Sequence, residues 1–147
     1  MSGFRNEIFF QLKGGISQEV VISAFTSGLK SFFSPDIPIQ YEGDKLPDQI
    51  SVYFIHSKKN SDQQYSFILN FEYIEISVGF FSFIDASSDT TLLFSDNNDF
   101  VNEINSCFET IALKALWFTD NGYNKLSDVF KDSKFRPHSS FDFTTKK

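Results

Sequence analysis

The stretch NFEYIEISVGFFSF, residues 70–83, decides how the fold is interpreted, because it places Glu72 and Glu75 inside one of the most apolar parts of the chain. Up to Tyr73 the apolar residues alternate with mostly polar ones, as in a half-buried antiparallel strand. These residues are Tyr65, Phe67, Leu69, Phe71 and Tyr73. Beyond Tyr73 the phase slips, and the apolar set becomes Ile74, Ile76, Val78 and Phe80. The slip predicts either one long strand with a bulge near Glu72 or an unusual tight turn, and the absence of turn residues favours the bulge.

The segments before this stretch predict a strand, a helix and another strand. Residues 7–13 have strand composition and end at two glycines, after which Ser17 is a good helix cap. Apolar residues then recur at helical spacing until Ser34-Pro35. They are Val20, Val21, Ala24, Phe25, Leu29, Phe32 and Phe33. The polar, proline-containing residues 36–49 predict an extended loop or a short edge strand, residues 50–56 a strand, and residues 58–64 a turn.

The segments after it predict a second helix. Residues 85–89 indicate a turn and residues 90–94 a further strand. Capping residues at 95–99 are followed by a stripe at three- and four-residue intervals, which ends at Asn121-Gly122. The stripe consists of Phe100, Ile104, Cys107, Phe108, Ile111 and Ala115. Residues 126–130 predict a short helix, and residues 139–147 either a last edge strand or a disordered tail.

Together these patterns predict one α+β domain over residues 1–147. Its core is an antiparallel sheet of about five strands with two main helices packed on one face. The 147 residues include 20 phenylalanines, which supply large core side chains. A single cysteine excludes an internal disulfide and suits a reducing compartment. Because residues 1–15 lack a signal-peptide pattern and charged residues interrupt the apolar stretch 67–84, the sequence predicts a cytoplasmic protein that does not cross a membrane.

Catalytic and cofactor signatures are missing from the sequence. Gly14-Gly15 lacks the context of a phosphate-binding loop, and no nucleophile elbow occurs. His56, His138 and Cys107 are too few for a structural zinc site. The acidic cluster at 95–99 lacks the glycine and terminal glutamate of a calcium loop. We therefore expect no metal, no cofactor and no enzymatic activity.

Glu72 and Glu75 are the closest approach to a carboxylate pair. Residues three apart on a regular strand point to opposite faces, so the pair could converge only across a bulge. The simpler interpretation is that both glutamates are on the solvent side of a strand. A third interpretation is that they belong to a surface that holds a basic partner.

The distribution of charge favours the third interpretation. Between Lys59 and Lys114 the chain has no lysine or arginine but nine acids, so this interval carries −9 of a net charge of −6 and the remainder carries +3. The negative electrostatic field of such a segment repels nucleic acid and anionic membranes and attracts a basic protein surface. Six acids from it are the predicted partner-binding residues. They are Glu72, Glu75, Asp85, Asp89, Asp96 and Asp99.

In size, acidity, phenylalanine content and lack of catalytic signature, the chain resembles small acidic bacterial toxin-immunity proteins. The resemblance rests on the acids between residues 62 and 109 and on the many phenylalanines, and it spans the whole chain. It implies a monomer, rather than a dimer, that binds a basic cognate toxin, for example a nuclease, and occludes its active surface.

Two other classes fit the same sequence. Small acidic secretion chaperones of the type III kind act as homodimers, with the stripe of the second helix or a strand edge as the dimer contact. A carboxylate-dependent enzyme would rest on Glu72 and Glu75 alone.

Overall fold

A computed structural model describes residues 6–43, 48–58, 61–86, 99–119, 123, 125–132 and 134–145. Seven strands and three helices lie within these residues. The strands are β1 (Glu7–Leu12), β2 (Gln40–Glu42), β3 (Gln49–Lys58), β4 (Ser61–Ile74), β5 (Ser77–Asp85), β6 (Ala112–Phe118) and β7 (Ser139–Asp142). The helices are α1 (Gln18–Phe33), α2 (Asp99–Phe108) and the short α3 (Asp128–Lys131), and a 3-10 turn (Phe143–Thr145) follows β7.

The strands form one antiparallel sheet in the order β2-β3-β4-β5-β1-β6-β7. The predicted α+β class, the antiparallel sheet and the two main helices on one face are confirmed. The predicted number of about five strands is too low, because β2 and β7 are short edge strands and β6 was assigned to a helix. Of the two alternatives predicted for residues 139–147, the edge strand is the one found, as β7. The strand predicted at 90–94 lies outside the described residues.

The helix-covered face of the sheet holds most of the core. Helix α1 begins at the predicted cap, where Ser17 Oγ accepts a hydrogen bond from Val20 N at 3.2 Å. The phenylalanine rings of this face pack closely: Phe10 stacks on Phe108 at 4.3 Å, and Phe25 lies against Phe83 in a tilted arrangement at 4.8 Å between ring centroids. Burying each such ring contributes about 1.5–3 kcal/mol. Gly28 lets the two helices approach, because a Cβ there would lie 2.7 Å from Ile104 Cδ1.

The segment predicted to complete the second helix is instead a strand. Helix α2 ends at Phe108, and β6 pairs with β1 on one side and β7 on the other. Both faces of β6 are covered. Apolar residues therefore occur at odd and even positions alike, and the alternation of apolar and polar residues that marks a half-buried strand disappears. Ala, Leu and Lys then give residues 112–116 a helical propensity that the strand pairing overrides.

The phase change near Glu72 arises from a tight turn and a bulge together. Strands β4 and β5 form a hairpin whose two-residue turn is Glu75-Ile76, with Ile74 opposite Ser77. The register also shifts between Glu72 and Tyr73, which lie opposite Phe80 and Val78, so that Gly79 is the extra residue. The preferred prediction of a single long strand was therefore wrong. The tight turn was the less favoured of the two sequence-based alternatives, because Glu75 occupies a left-handed conformation (φ 58°) that usually belongs to glycine.

The second face of the sheet is covered by the chain that follows β6. A small cluster forms there between Phe9, Phe80 and Phe118 of the sheet and Leu126 and Val129 of the covering segment, residues 125–132. The Phe9 ring meets the rings of Phe118 and Tyr123 edge-on, at 5.5 and 5.0 Å. The predicted helix at 126–130 corresponds to α3 within this covering segment. Strand β1 is consequently enclosed on both faces.

We expect Glu75→Gly to stabilise the protein by about 1 kcal/mol, because glycine adopts positive φ without a steric penalty. Urea unfolding at pH 7 measures the difference. Glu75→Ala is the matched control: it removes the same charge but keeps the Cβ, so its stability should stay within about 0.5 kcal/mol of the wild type. Equal stabilisation by both substitutions would attribute the gain to charge and contradict this account.

Candidate functional site

A surface depression with a volume of about 560 Å³ lies between the second face of β4 and the chain that covers it. A smaller one, of about 280 Å³, adjoins the β4–β5 turn. The two share Asp48 and Tyr73, and we call them together the hairpin-end cleft. Its lining residues are Asp48, Asn70, Phe71, Glu72, Tyr73, Glu75, Ile76, Tyr123, Lys125 and Leu126.

Glu72 forms the wall of the larger depression and anchors the covering segment. Its Oε1 accepts a hydrogen bond from Ser127 N at 3.0 Å, and its Oε2 accepts one from Ser127 Oγ at 2.9 Å. Glu72 is half-buried, whereas Glu75 is exposed in the turn. The expectation that both glutamates lie on the solvent side therefore holds for Glu75 and only partly for Glu72.

A ladder of polar side chains runs under the cleft across four adjacent strands. Gln49 Nε2 donates to Asn70 Oδ1 at 2.9 Å, and Asn70 Nδ2 donates to Ser82 Oγ at 3.3 Å. Ser82 Oγ in turn donates to Glu7 Oε2 at 2.6 Å. Glu7 is completely buried, and its carboxyl also accepts a hydrogen bond from the Tyr123 hydroxyl at 2.8 Å. Sequence patterns gave no sign of this ladder, because single polar residues in a strand ordinarily indicate a solvated face.

Tyr123 is held in its neutral form by this environment. Burial raises the pKa of Tyr123 most, and the charge of Glu7 and the hydrogen bond to Glu7 raise it further. The hydroxyl therefore remains a donor to the Glu7 carboxyl. Burial also raises the pKa of Tyr73, with a smaller contribution from Asp48 that the hydrogen bond to Gln18 opposes.

The six acids predicted to bind a partner do not lie on one surface. Glu72 and Glu75 lie in the hairpin-end cleft. Asp85 lies opposite Phe67 in the register and is only 3% exposed, so it offers no accessible carboxylate to a partner. Asp89 and Asp96 lie outside the described residues.

The sixth acid, Asp99, is exposed at the start of α2, far from the cleft. The next residue, Phe100, contacts Phe32 in the last turn of α1. The opposite end of α1 adjoins the hairpin, where Val78 N donates to Ile16 O. A 16-residue helix spans about 24 Å, so roughly this distance separates the two ends.

The cleft brings in residues that sequence analysis missed. Tyr73 and Ile76 come from the β4–β5 hairpin, Asp48 from the residue before β3 and Tyr123 from the chain after β6, and the fold places them at one end of the sheet. The described side chains that line the cleft are mainly carboxylate and aromatic, and Lys125 adds one ammonium group. Among the described residues, no group of three or more His, Cys, Asp or Glu side chains is arranged to hold a metal ion. Within the same residues, none of the helices has the length and apolarity needed to span a membrane.

Comparison of the chain with protein-family models, with curated proteins and with solved structures gives no significant match.

We expect Tyr123→Phe to destabilise the protein by about 1–3 kcal/mol at pH 7, because it leaves the buried Glu7 carboxyl without one of its donors. Urea unfolding measures the loss. Tyr53→Phe is the control, since the Tyr53 hydroxyl donates to Gln40 Oε1 at 3.2 Å on the surface and its loss should cost less than about 0.5 kcal/mol. An equal loss of unfolding free energy in the two variants would mean that the buried hydrogen bond to Glu7 contributes no more than the surface one, and would contradict this account.

The raised pKa of Tyr123 also predicts a loss of stability in alkali. In the unfolded chain a tyrosine ionises near pH 10, whereas in the fold Tyr123 keeps its proton. Above about pH 10 the unfolded state binds fewer protons, so the stabilisation present at lower pH is lost at up to about 1.4 kcal/mol per pH unit. Urea unfolding between pH 8 and 11.5 should show a shallower decline for Tyr123→Phe than for the wild type. Parallel declines would contradict the assignment.

Proposed function

We propose that this protein is a non-catalytic binding protein of the immunity type, which binds a basic protein partner through the hairpin-end cleft and occludes its functional surface. The proposal narrows the acidic surface expected from the sequence to one end of the sheet. It draws on the apolar tip of the hairpin, on the acids beside it and on the conformation of Glu75.

The observation that carries the proposal is the exposed apolar tip of the β4–β5 hairpin. Ile76 is 92% exposed and Ile74 is 57% exposed, next to the half-buried Tyr73. Large exposed apolar side chains that cluster beside a depression are typical of protein interaction sites. In such sites a few apolar and aromatic anchors contribute most of the binding energy.

The backbone at the tip supports a role for the Glu75 side chain. A glycine at this turn would relieve the left-handed conformation, so a glutamate there costs stability. Residues held in unfavourable conformations cluster at functional sites. Retention of a carboxylate at this position is therefore expected if the carboxylate contacts a partner.

The charge around the tip determines the kind of partner. Among the described residues that line the cleft, Asp48, Glu72 and Glu75 contribute three carboxylates and Lys125 contributes one ammonium group. A basic surface would approach faster and in a defined orientation, while an acidic surface would be repelled. Glu72 is already held by Ser127, so Asp48 and Glu75 have more freedom to meet lysines or arginines of the partner.

The same geometry argues against a catalytic glutamate pair. Glu72 is fixed by two hydrogen bonds from Ser127 at the wall of the cleft, whereas Glu75 lies in the exposed β4–β5 turn. A general acid and base need to flank one reacting bond from within one site. We therefore favour binding over catalysis.

A homodimeric secretion chaperone is the second candidate. The stripe of α2 is buried within the protein, as Phe100, Ile104 and Phe108 are at most 1% exposed, so this stripe does not support a dimer contact. The edge strand β2 does support a dimer contact, because all three of its residues are exposed and Tyr41 is 56% exposed. A stable dimer in size-exclusion chromatography with light scattering, lost on Tyr41→Asp, would favour the chaperone.

We expect Ile76→Asp and Glu75→Lys each to weaken binding of the partner at least tenfold, through loss of an apolar anchor and of a complementary charge. The purified product of the adjacent gene is the partner to test, by biolayer interferometry. Added salt should slow association more than it speeds dissociation.

The matched controls lie elsewhere on the molecule. Ile55→Asp changes another exposed isoleucine, on β3, and Asp36→Lys reverses an exposed acid beyond the far end of α1. Both should leave the affinity within about twofold, because neither residue borders the cleft. Weakening by the controls equal to that by the cleft variants would place the interface elsewhere and refute the proposal.

A further inference from the structure

The smaller depression of the hairpin-end cleft brings three kinds of side chain to one opening. Its volume is about 280 Å³, just below the range of small-molecule sites, so it suits one inserted side chain better than a whole ligand. The described lining residues are Asp48, Tyr73, Glu75 and Ile76. Asp48 immediately precedes β3, and the other three belong to the β4–β5 hairpin.

The two carboxylates of this depression carry uncompensated charge. Asp48 and Glu75 are both exposed, and no lysine or arginine of the described residues forms an ion pair with either. Lys125 lines the larger depression and not the smaller one. The Asp48 carbonyl accepts a hydrogen bond from Phe71 N at 2.8 Å, which keeps Asp48 beside β4. The charge therefore favours a cation as the occupant.

The ring of Tyr73 is held in place from within the protein. It packs against the Phe71 ring at 6.4 Å between centroids, and its hydroxyl is hydrogen-bonded to the buried Gln18 at the start of α1. Burial raises the pKa of Tyr73 most and the charge of Asp48 raises it further, as expected for a carboxylate close to the hydroxyl. Because Tyr73 is only half-buried and lines the depression, it offers a fixed aromatic surface beside a carboxylate. A cation is attracted by both groups.

Arginine is the cation that fits these groups best. A guanidinium is planar and carries five N–H donors, so it can bind two carboxylates at once and also stack on an aromatic ring. The lysine ammonium is a compact and strongly hydrated charge that has no flat face. Ile76, which is 92% exposed, offers apolar surface to the methylene groups of a long side chain.

We propose that the partner inserts one arginine side chain into this smaller depression. Its guanidinium donates hydrogen bonds to the carboxylates of Asp48 and Glu75 and lies against the Tyr73 ring, and its methylene groups contact Ile76. The inference rests on the proposed binding of a basic protein partner and names the side chain that enters the cleft.

Three small probes test the chemistry of the depression without the partner. They are N-acetyl-arginine amide, N-acetyl-lysine amide and N-acetyl-citrulline amide, the last of which has the shape of the arginine probe but no charge. In ¹H–¹⁵N NMR titrations at low salt we expect a Kd of about 10 mM for the arginine probe, with shifts at Tyr73, Glu75 and Ile76. The lysine probe should bind about threefold more weakly and the citrulline probe about tenfold more weakly. Equal binding of the citrulline or lysine probe, or shifts of the arginine probe outside the cleft, overturns the proposal.

Substitutions in the depression separate its charge from its aromatic surface. Glu75→Gln and Asp48→Asn keep the shape of the side chain and should each weaken binding of the arginine probe about fivefold. Tyr73→Leu should weaken it about threefold, and Tyr73→Phe, which keeps the ring, should weaken it less. The control is Asp36→Asn, an exposed change beyond the far end of α1, which should have no effect. If Tyr73→Leu does not fold, the exposed Glu75→Gln decides, and unchanged binding by that variant contradicts the proposal.

The same variants distinguish this inference from the proposed function. Binding of the purified product of the adjacent gene should weaken about fivefold with Glu75→Gln, in parallel with the arginine probe. If Ile76→Asp weakens binding of the gene product tenfold but Glu75→Gln and Asp48→Asn leave it unchanged, the cleft is the interface and the arginine inference is wrong. If every cleft variant leaves it unchanged, the proposed function is wrong, whatever the arginine probe does.

Discussion

The buried carboxylate of Glu7 is the interaction on which the arrangement of the sheet and its cover depends. It lies on the central strand β1, where both faces are enclosed and water cannot solvate a charge. Ser82 and Tyr123 replace that water with short O–H···O bonds at 2.6 and 2.8 Å. Removing one donor from a buried carboxyl leaves an acceptor unsatisfied, which is costly. The carboxylate therefore fixes Tyr123, and with it the position at which the chain returns over the sheet. The two bonds between Ser127 and Glu72 fix the same segment a few residues later.

Local patterns predicted the parts of the fold that are buried on one side only. The alternation from Tyr65 to Tyr73 and the stripe of α1 each face one layer, so their periods survive in the sequence. β6 has layers on both sides, so its apolar residues occupy odd and even positions alike and show no alternation typical of a strand. The turn at Glu75 was only the less favoured alternative for a different reason, because a glutamate occupies a conformation for which sequence rules expect glycine.

The candidate site was predictable only in its chemical character. Acid enrichment between residues 62 and 109 pointed to Glu72 and Glu75, which line the cleft. The same reasoning treated Asp85 and Asp99 as equivalent, although one is buried and the other lies beyond the far end of α1. Charge counts along a chain carry no information on which residues share a surface. That information comes from register, which brings Asp48, before β3, next to Tyr73, at the end of β4.

The place of β1 in the sheet has a consequence for how the protein assembles. Among the described strands this one comes first along the chain, yet Glu7 pairs with Ile84 on one side and with Phe118 on the other. Its pairing therefore waits for most of the chain, and such distant contacts make folding slow relative to helical proteins of similar size. Until β1 inserts, β5 and β6 each present an open, largely apolar edge that can pair with other chains. An unfolded or partly folded copy of this protein is thus most vulnerable to aggregation before β1 has entered the centre of the sheet.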